Sequence, residues 1–221
     1  VIRKAVLESV GFGLVLVLAL FAPAGTLAWP TAWAVVAFYI VLSAVGFLIL
    51  PPDLIAERSG IPQGSQPADL LIASAAFLLM LPGSFAVCGL DARLRASPAL
   101  PAAVRGVAFG GFALGYAFTL WATRANRFFS SVVRVQAERG HRVVSSGPYA
   151  WIRHPGYAGA MAAHLLLPVA LGALWGIVPA ALGCILLALR IRLEERVLRE
   201  GLAGYADYCR RVRWRIVPGL W

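Results

Sequence analysis

Between Ser146 and Gly159 the sequence runs SGPYAWIRHPGYAG, setting Tyr149, Arg153, His154 and Tyr157 among two prolines at the edge of an apolar stretch of helical length. Pro148 and Pro155 push the residues before them toward extended backbone, so the segment is a shaped loop leading into a helix. Arg153 offers a planar fork for a carboxylate and His154 a ring donor. The first amides after Pro155 lie at the positive end of the incoming helix, where an anionic group is favoured. Further on, Glu194 and Glu195 stand where another apolar stretch gives way to arginines. A carboxylate there suits ribose hydroxyls, an amino group or a sulfonium. Neighbours on a helix point about 100° apart, so at most one of the two faces a ligand directly. The plainer alternatives are an arginine anchored at lipid phosphates and ion pairs of the glutamates with Arg190, Arg192, Arg196 or Arg199 one turn away.

The elements that must position these groups are membrane helices. The 221 residues are 60% hydrophobic and 14% charged, against roughly 45–50% apolar and about 25% charged in soluble domains. Apolar windows run over 10–28, 31–50, 70–89, 106–122, 157–174 and 177–193, each near the roughly 20 residues a bilayer core requires. The first is not read as a removable signal. The last two windows are joined by a few residues around Trp175 and Gly176 and form a helical hairpin, which returns Glu194-Glu195 to the edge where Arg153-His154-Pro155 enters. The expected fold is therefore all-α. It is a polytopic membrane bundle of four transmembrane helices, residues 1–122, followed at 123–221 by a connector, the hairpin and a C-terminal helix, all one integrated domain.

The connector, 123–156, is long for a compact bundle, and its Phe128, Phe129, Val132, Val133, Tyr149 and Trp151 are residues a disordered tail would lack. It is expected to fold against the bundle. The N-terminal half has almost nothing ionisable at membrane depth and reads as scaffold. Its 51–69 loop, rich in proline, glycine and serine, is a candidate cover for a site. Gly106, Gly110, Gly111 and Gly115 give small-xxx-small spacings for ordinary close helix packing.

Of the 20 basic residues, 17 fall on one side if all six windows cross and 3, Arg93, Arg95 and Arg105, on the other. The positive-inside rule then puts both termini and the connector in the cytoplasm. The net charge of +10 does not indicate nucleic acid, because no folded basic domain carries it. Cys88, Cys184 and Cys209 are isolated, and the three histidines lack zinc spacing, so no metal is expected. His141 has the setting of a surface histidine, and His164, within an apolar window, that of a satisfied core residue. No dinucleotide fingerprint, Walker A, GxSxG or HExxH pattern occurs.

Taken in order, Asn126-Arg127-Phe128-Phe129, Gln136, Gly140-His141, Gly147-Pro148-Tyr149, Arg153-His154-Pro155 with Tyr157 and Gly159, Glu194-Glu195, and Tyr205 with Tyr208 resemble the isoprenylcysteine carboxyl methyltransferase family. That family stands beside the phospholipid N-methyltransferases among small integral membrane methyltransferases. The resemblance covers about residues 121–221. It implies S-adenosylmethionine held between connector and hairpin on the cytoplasmic side, with a lipophilic or prenylated acceptor arriving from the membrane lipids. It implies that Gln136, His141, Tyr149, His154, Pro155 and Tyr157 line the cofactor site, that Glu195 or Glu194 and Tyr208 close it, and that Arg153 orients the acceptor's carboxylate or the cofactor. Methyl transfer from a sulfonium to a carboxylate needs no general base, whereas an amine acceptor would lose a proton to Glu194 or Glu195. Three other functions fit parts of the pattern: phospholipid or amine N-methylation, an NADPH-dependent reductase of the sterol type, and a non-catalytic scaffold or carrier.

Overall fold

A computed structural model describes residues 2–58 and 67–221. Helix α1 (Ile2–Ala24) is followed by α2 (Pro30–Ile49), the short α3 (Pro52–Arg58), α4 (Pro67–Leu78) and α5 (Ser84–Leu94), then α6 (Ala102–Ala125), α7 (Pro155–Leu171), α8 (Ile177–Gly201) and α9 (Tyr205–Arg211). α4 and α5 are one continuous rod joined by a π turn at Leu79–Gly83. Pro82 inside that turn lacks an amide proton, so the ladder must loosen there. Residues 59–66 of the expected covering loop lie outside the described residues; the rest is α3 and the first turn of α4.

Among the described residues five helices are long and apolar enough to cross a membrane: Arg3–Ala24, Pro30–Ile49, Pro67–Leu94, Ala102–Ala125 and Leu174–Gly201. The protein is a multi-pass membrane protein of helices. The remaining expected window, 157–174, is the shorter α7, 17 residues, or about 25 Å at 1.5 Å per residue against a core of about 30 Å. Gly172, at φ +70°, ends it in a left-handed cap, and the 3₁₀ turn Leu174–Gly176 begins the return. That turn is tied to the far end of α5: the Leu174 amide donates to Ser97 Oγ at 2.8 Å and the Trp175 amide to Asp91 Oδ2 at 3.0 Å. At the same end Arg105 donates to Thr31 Oγ1 and to the Ala170 carbonyl. The connector occupies the opposite end.

The hairpin is seated by its contact with α6, where glycines let the backbones meet. A Cβ on Gly159 would lie 2.4 Å from the Gly115 carbonyl oxygen and 2.5 Å from Thr119 Oγ1, and one on Gly111 would lie 2.7 Å from Leu166. Gly106 and Gly110 face nothing within 4 Å, so only half of the expected glycine stripe is interface. Deeper in, His164 Nδ1 bonds the Ala160 carbonyl at 2.7 Å and Nε2 meets Tyr116 Oη at 3.1 Å, which meets Tyr39 Oη at 2.7 Å. This is the satisfied core histidine the sequence suggests.

Gly159→Ala is expected to lower unfolding stability in detergent by about 1–3 kcal/mol through overpacking, while Gly110→Ala changes it by less than about 0.5 kcal/mol. Thermal denaturation followed by circular dichroism checks the pair.

Candidate functional site

The hairpin and the connector converge on one buried carboxylate. Glu195, 2% exposed, accepts from Arg153 Nε at 2.6 Å, lies 3.3 Å from His154 Nε2 and pairs with Arg215 at 3.0 Å. Arg153 spends Nη1 on the carbonyls of Val212 and Arg213, both at 2.7 Å, and the amides of Arg153 and His154 donate to the carbonyls of Trp214 and Arg215. The loop before α7, the end of α8 and the segment after α9 are thereby locked together. Burial works against the Arg153 charge, but Glu195 outweighs it and holds its pKa above the ordinary value.

Beside this lock opens a cleft of about 780 Å³, its solvent mouth included. Phe128, Phe129, Tyr149, Tyr157, Tyr205 and Tyr208 give it aromatic walls, and Leu198 and Leu202 an aliphatic one. Glu194 is its carboxylate, accepting from Tyr157 Oη at 2.8 Å. Tyr208 donates to the Tyr149 carbonyl at 2.8 Å, and burial pushes the Tyr149 and Tyr208 hydroxyls above the phenol range, so both stay protonated. His141 stacks on Phe128 with centroids 4.5 Å apart, and its Nδ1 accepts the Gln136 amide at 3.2 Å. The proton of the neutral ring therefore sits on Nε2. Desolvation lowers the His141 pKa further, leaving a neutral donor at neutral pH.

Of the residues singled out in the sequence, His141, Tyr149, Arg153, His154, Tyr157, Glu194 and Tyr208 line this one cleft. Three stand behind it. Gln136 is fully buried, donating to the Phe128 carbonyl at 2.8 Å and accepting from Arg139; Pro155 is the buried first residue of α7; Glu195 is the lock. The adjacent glutamates thus divide, one toward the cleft and one away from it.

The N-terminal half is more than apolar scaffold. Asp69, 2% exposed in the first turn of α4, takes Arg190 Nε at 2.7 Å and Nη2 at 3.1 Å and the Val133 amide at 2.8 Å. Arg190 Nη1 then donates to Tyr157 Oη at 2.8 Å, which carries the chain to Glu194. Glu57 on α3 accepts Arg134 at 2.9 Å and Ser130 Oγ at 2.8 Å. The signal for this was a lone carboxylate at the mouth of an apolar window, which hydropathy alone passes over.

Comparison with known proteins bears on this geometry. Residues 107–200, from α6 to the end of α8, match the isoprenylcysteine carboxyl methyltransferase (ICMT) family. Those residues carry that family's pattern. The match holds the connector, the hairpin and both glutamates; Tyr205 and Tyr208 join the cleft from beyond it. No curated protein matches the chain by sequence. Its fold is similar to the solved structure of the eukaryotic intramembrane Ras methyltransferase ICMT, with a TM-score of 0.56 and 20% identity over 95% of this chain and 74% of that one.

Two outcomes follow from the lock and the neutral imidazole. Glu195→Gln leaves Arg153 buried without its counter-charge and is expected to cost about 3–5 kcal/mol, while Glu194→Gln stays within about 1 kcal/mol; chemical denaturation in detergent compares them. His141 binds its proton less readily folded than unfolded, so its share of stability is present above the ordinary value of 6.5 and lost as pH falls through the lowered folded value. Melting temperature is expected to drop below that pH, by less in His141→Gln.

Proposed function

We propose that this protein is an integral membrane methyltransferase that passes a methyl group from S-adenosylmethionine to a lipophilic acid, the carboxylate of an isoprenylated cysteine or a comparable lipid-like acceptor. The observation that carries this is the cleft itself: aromatic and aliphatic walls, one oriented carboxylate and neutral donors, built where the hairpin leaves the apolar bundle. With the hairpin taken as crossing and returning, the 17-to-3 distribution of basic residues favours a cytoplasmic placement of this end, where the donor is made.

The residues present fit the donor. Phe128, stacked with His141, offers a face for the adenine, and the Nε2–H of His141 a donor to a ring nitrogen. Glu194, held by Tyr157, suits the ribose hydroxyls or the amino group of the methionine part. The bound donor supplies a methyl carbon on a sulfonium, a leaving group already activated. A carboxylate acceptor arrives ionised, so the chain needs neither base nor acid: it must align the acceptor, exclude water and leave the methyl unobstructed. The lock at Glu195 holds the walls in that arrangement.

Calorimetric titration of the purified protein with S-adenosylhomocysteine is expected to show one site, with Glu194→Gln binding about tenfold more weakly, about 1.4 kcal/mol, at unchanged melting temperature. A folded wild type that gives no heat rejects the proposal.

A further inference from the structure

Most cations around the cleft are already committed. Arg153 is held by Glu195 and two carbonyls, Arg134 by Glu57 and Arg190 by Asp69. Arg58 is not. Its guanidinium carbon stands 5.0 Å over the ring of Phe129, a wall of the cleft, and among the described residues it has neither a hydrogen bond nor an ion pair. It lies within electrostatic reach of Tyr149, Tyr157 and Arg190 and keeps open surface.

Its place along the chain adds an independent argument. Arg58 ends α3, which begins at Pro52, three residues after the span α2 ends at Ile49. Leu54 of the same helix is fully buried, so α3 is fixed on the bundle where the apolar span meets the cleft. Phe129 in turn closes on the first turn of α7: a Cβ on Gly156 would lie 2.6 Å from its ring. A cation on this aromatic platform is placed for a ligand whose charged end enters the cleft while its chain stays among lipids.

Resting on the methyl-acceptor assignment above, we propose that Arg58 determines acceptor specificity by receiving the carboxylate of the lipid-like acid. The committed fork of Arg153 then serves the architecture, and charge selection comes from the N-terminal half, outside the residues that carry the family pattern.

The test measures binding of two probes with the same apolar chain, an S-prenylated N-acetylcysteine and its carboxamide, to the detergent-purified full chain by equilibrium dialysis. Wild type is expected to prefer the carboxylate by about tenfold. Arg58→Gln is expected to lose the preference while binding the carboxamide within about twofold of wild type, and Arg58→Lys to keep part of it. If Arg58→Gln does not fold, the fall with Arg58→Lys decides. A carboxylate preference that survives both substitutions overturns the proposal, as does a wild type without one. So does a preference erased by excess phosphatidylglycerol, which would make Arg58 a headgroup anchor. S-adenosylhomocysteine titrations of the same samples are expected to agree within about twofold; their failure in wild type would reject the donor and leave the carboxylate comparison standing.

Discussion

One buried carboxylate organises the connector end of this protein. Glu195 draws on Arg153, Arg215, His154 and, at 3.7 Å, Arg199, so three segments far apart in sequence close on one point. A charge buried this deeply is tolerated only with such partners, and removing one partner costs far more than the pair contributes. The arrangement therefore fixes geometry more than it adds stability. It also gives the neighbouring Glu194 its freedom: one helix step turns it about 100° away, to the cleft, with Tyr157 setting its orientation.

A second buried pair completes the frame. Asp69 and Arg190 join the first turn of α4 to α8, and through the Val133 amide and the Ser131 carbonyl they hold the connector as well. Tyr157 lies between the two systems, accepting from Arg190 and donating to Glu194. The cleft is thus supported from the N-terminal half and the hairpin at once, where the sequence offered from the first half only the 51–69 loop as a candidate cover.

Hydropathy and loop length made the helices, the hairpin and the convergence of Arg153 with Glu195 legible in the sequence, because each follows from local pattern and chain closure. The division of labour between Glu194 and Glu195 was legible only as a rule that one would face away; which one depends on the rotation of α8. Asp69 and Glu57 were hidden because their partners lie far along the chain, and a single acid beside an apolar window looks like a helix end. Gln136 and Pro155 carry the family pattern yet stand behind the cleft wall, since a motif records what must be kept without separating contact from support.

The most direct test of the central claim, that connector, α8 and α9 together enclose the methyl donor, is photolabelling with an azido-adenosyl analogue of S-adenosylhomocysteine followed by peptide mapping. The account expects label in 126–157 and in 194–208, displaced by unmodified S-adenosylhomocysteine. Displaceable label confined to residues 2–58 or 102–122, with those two stretches clean, would contradict it.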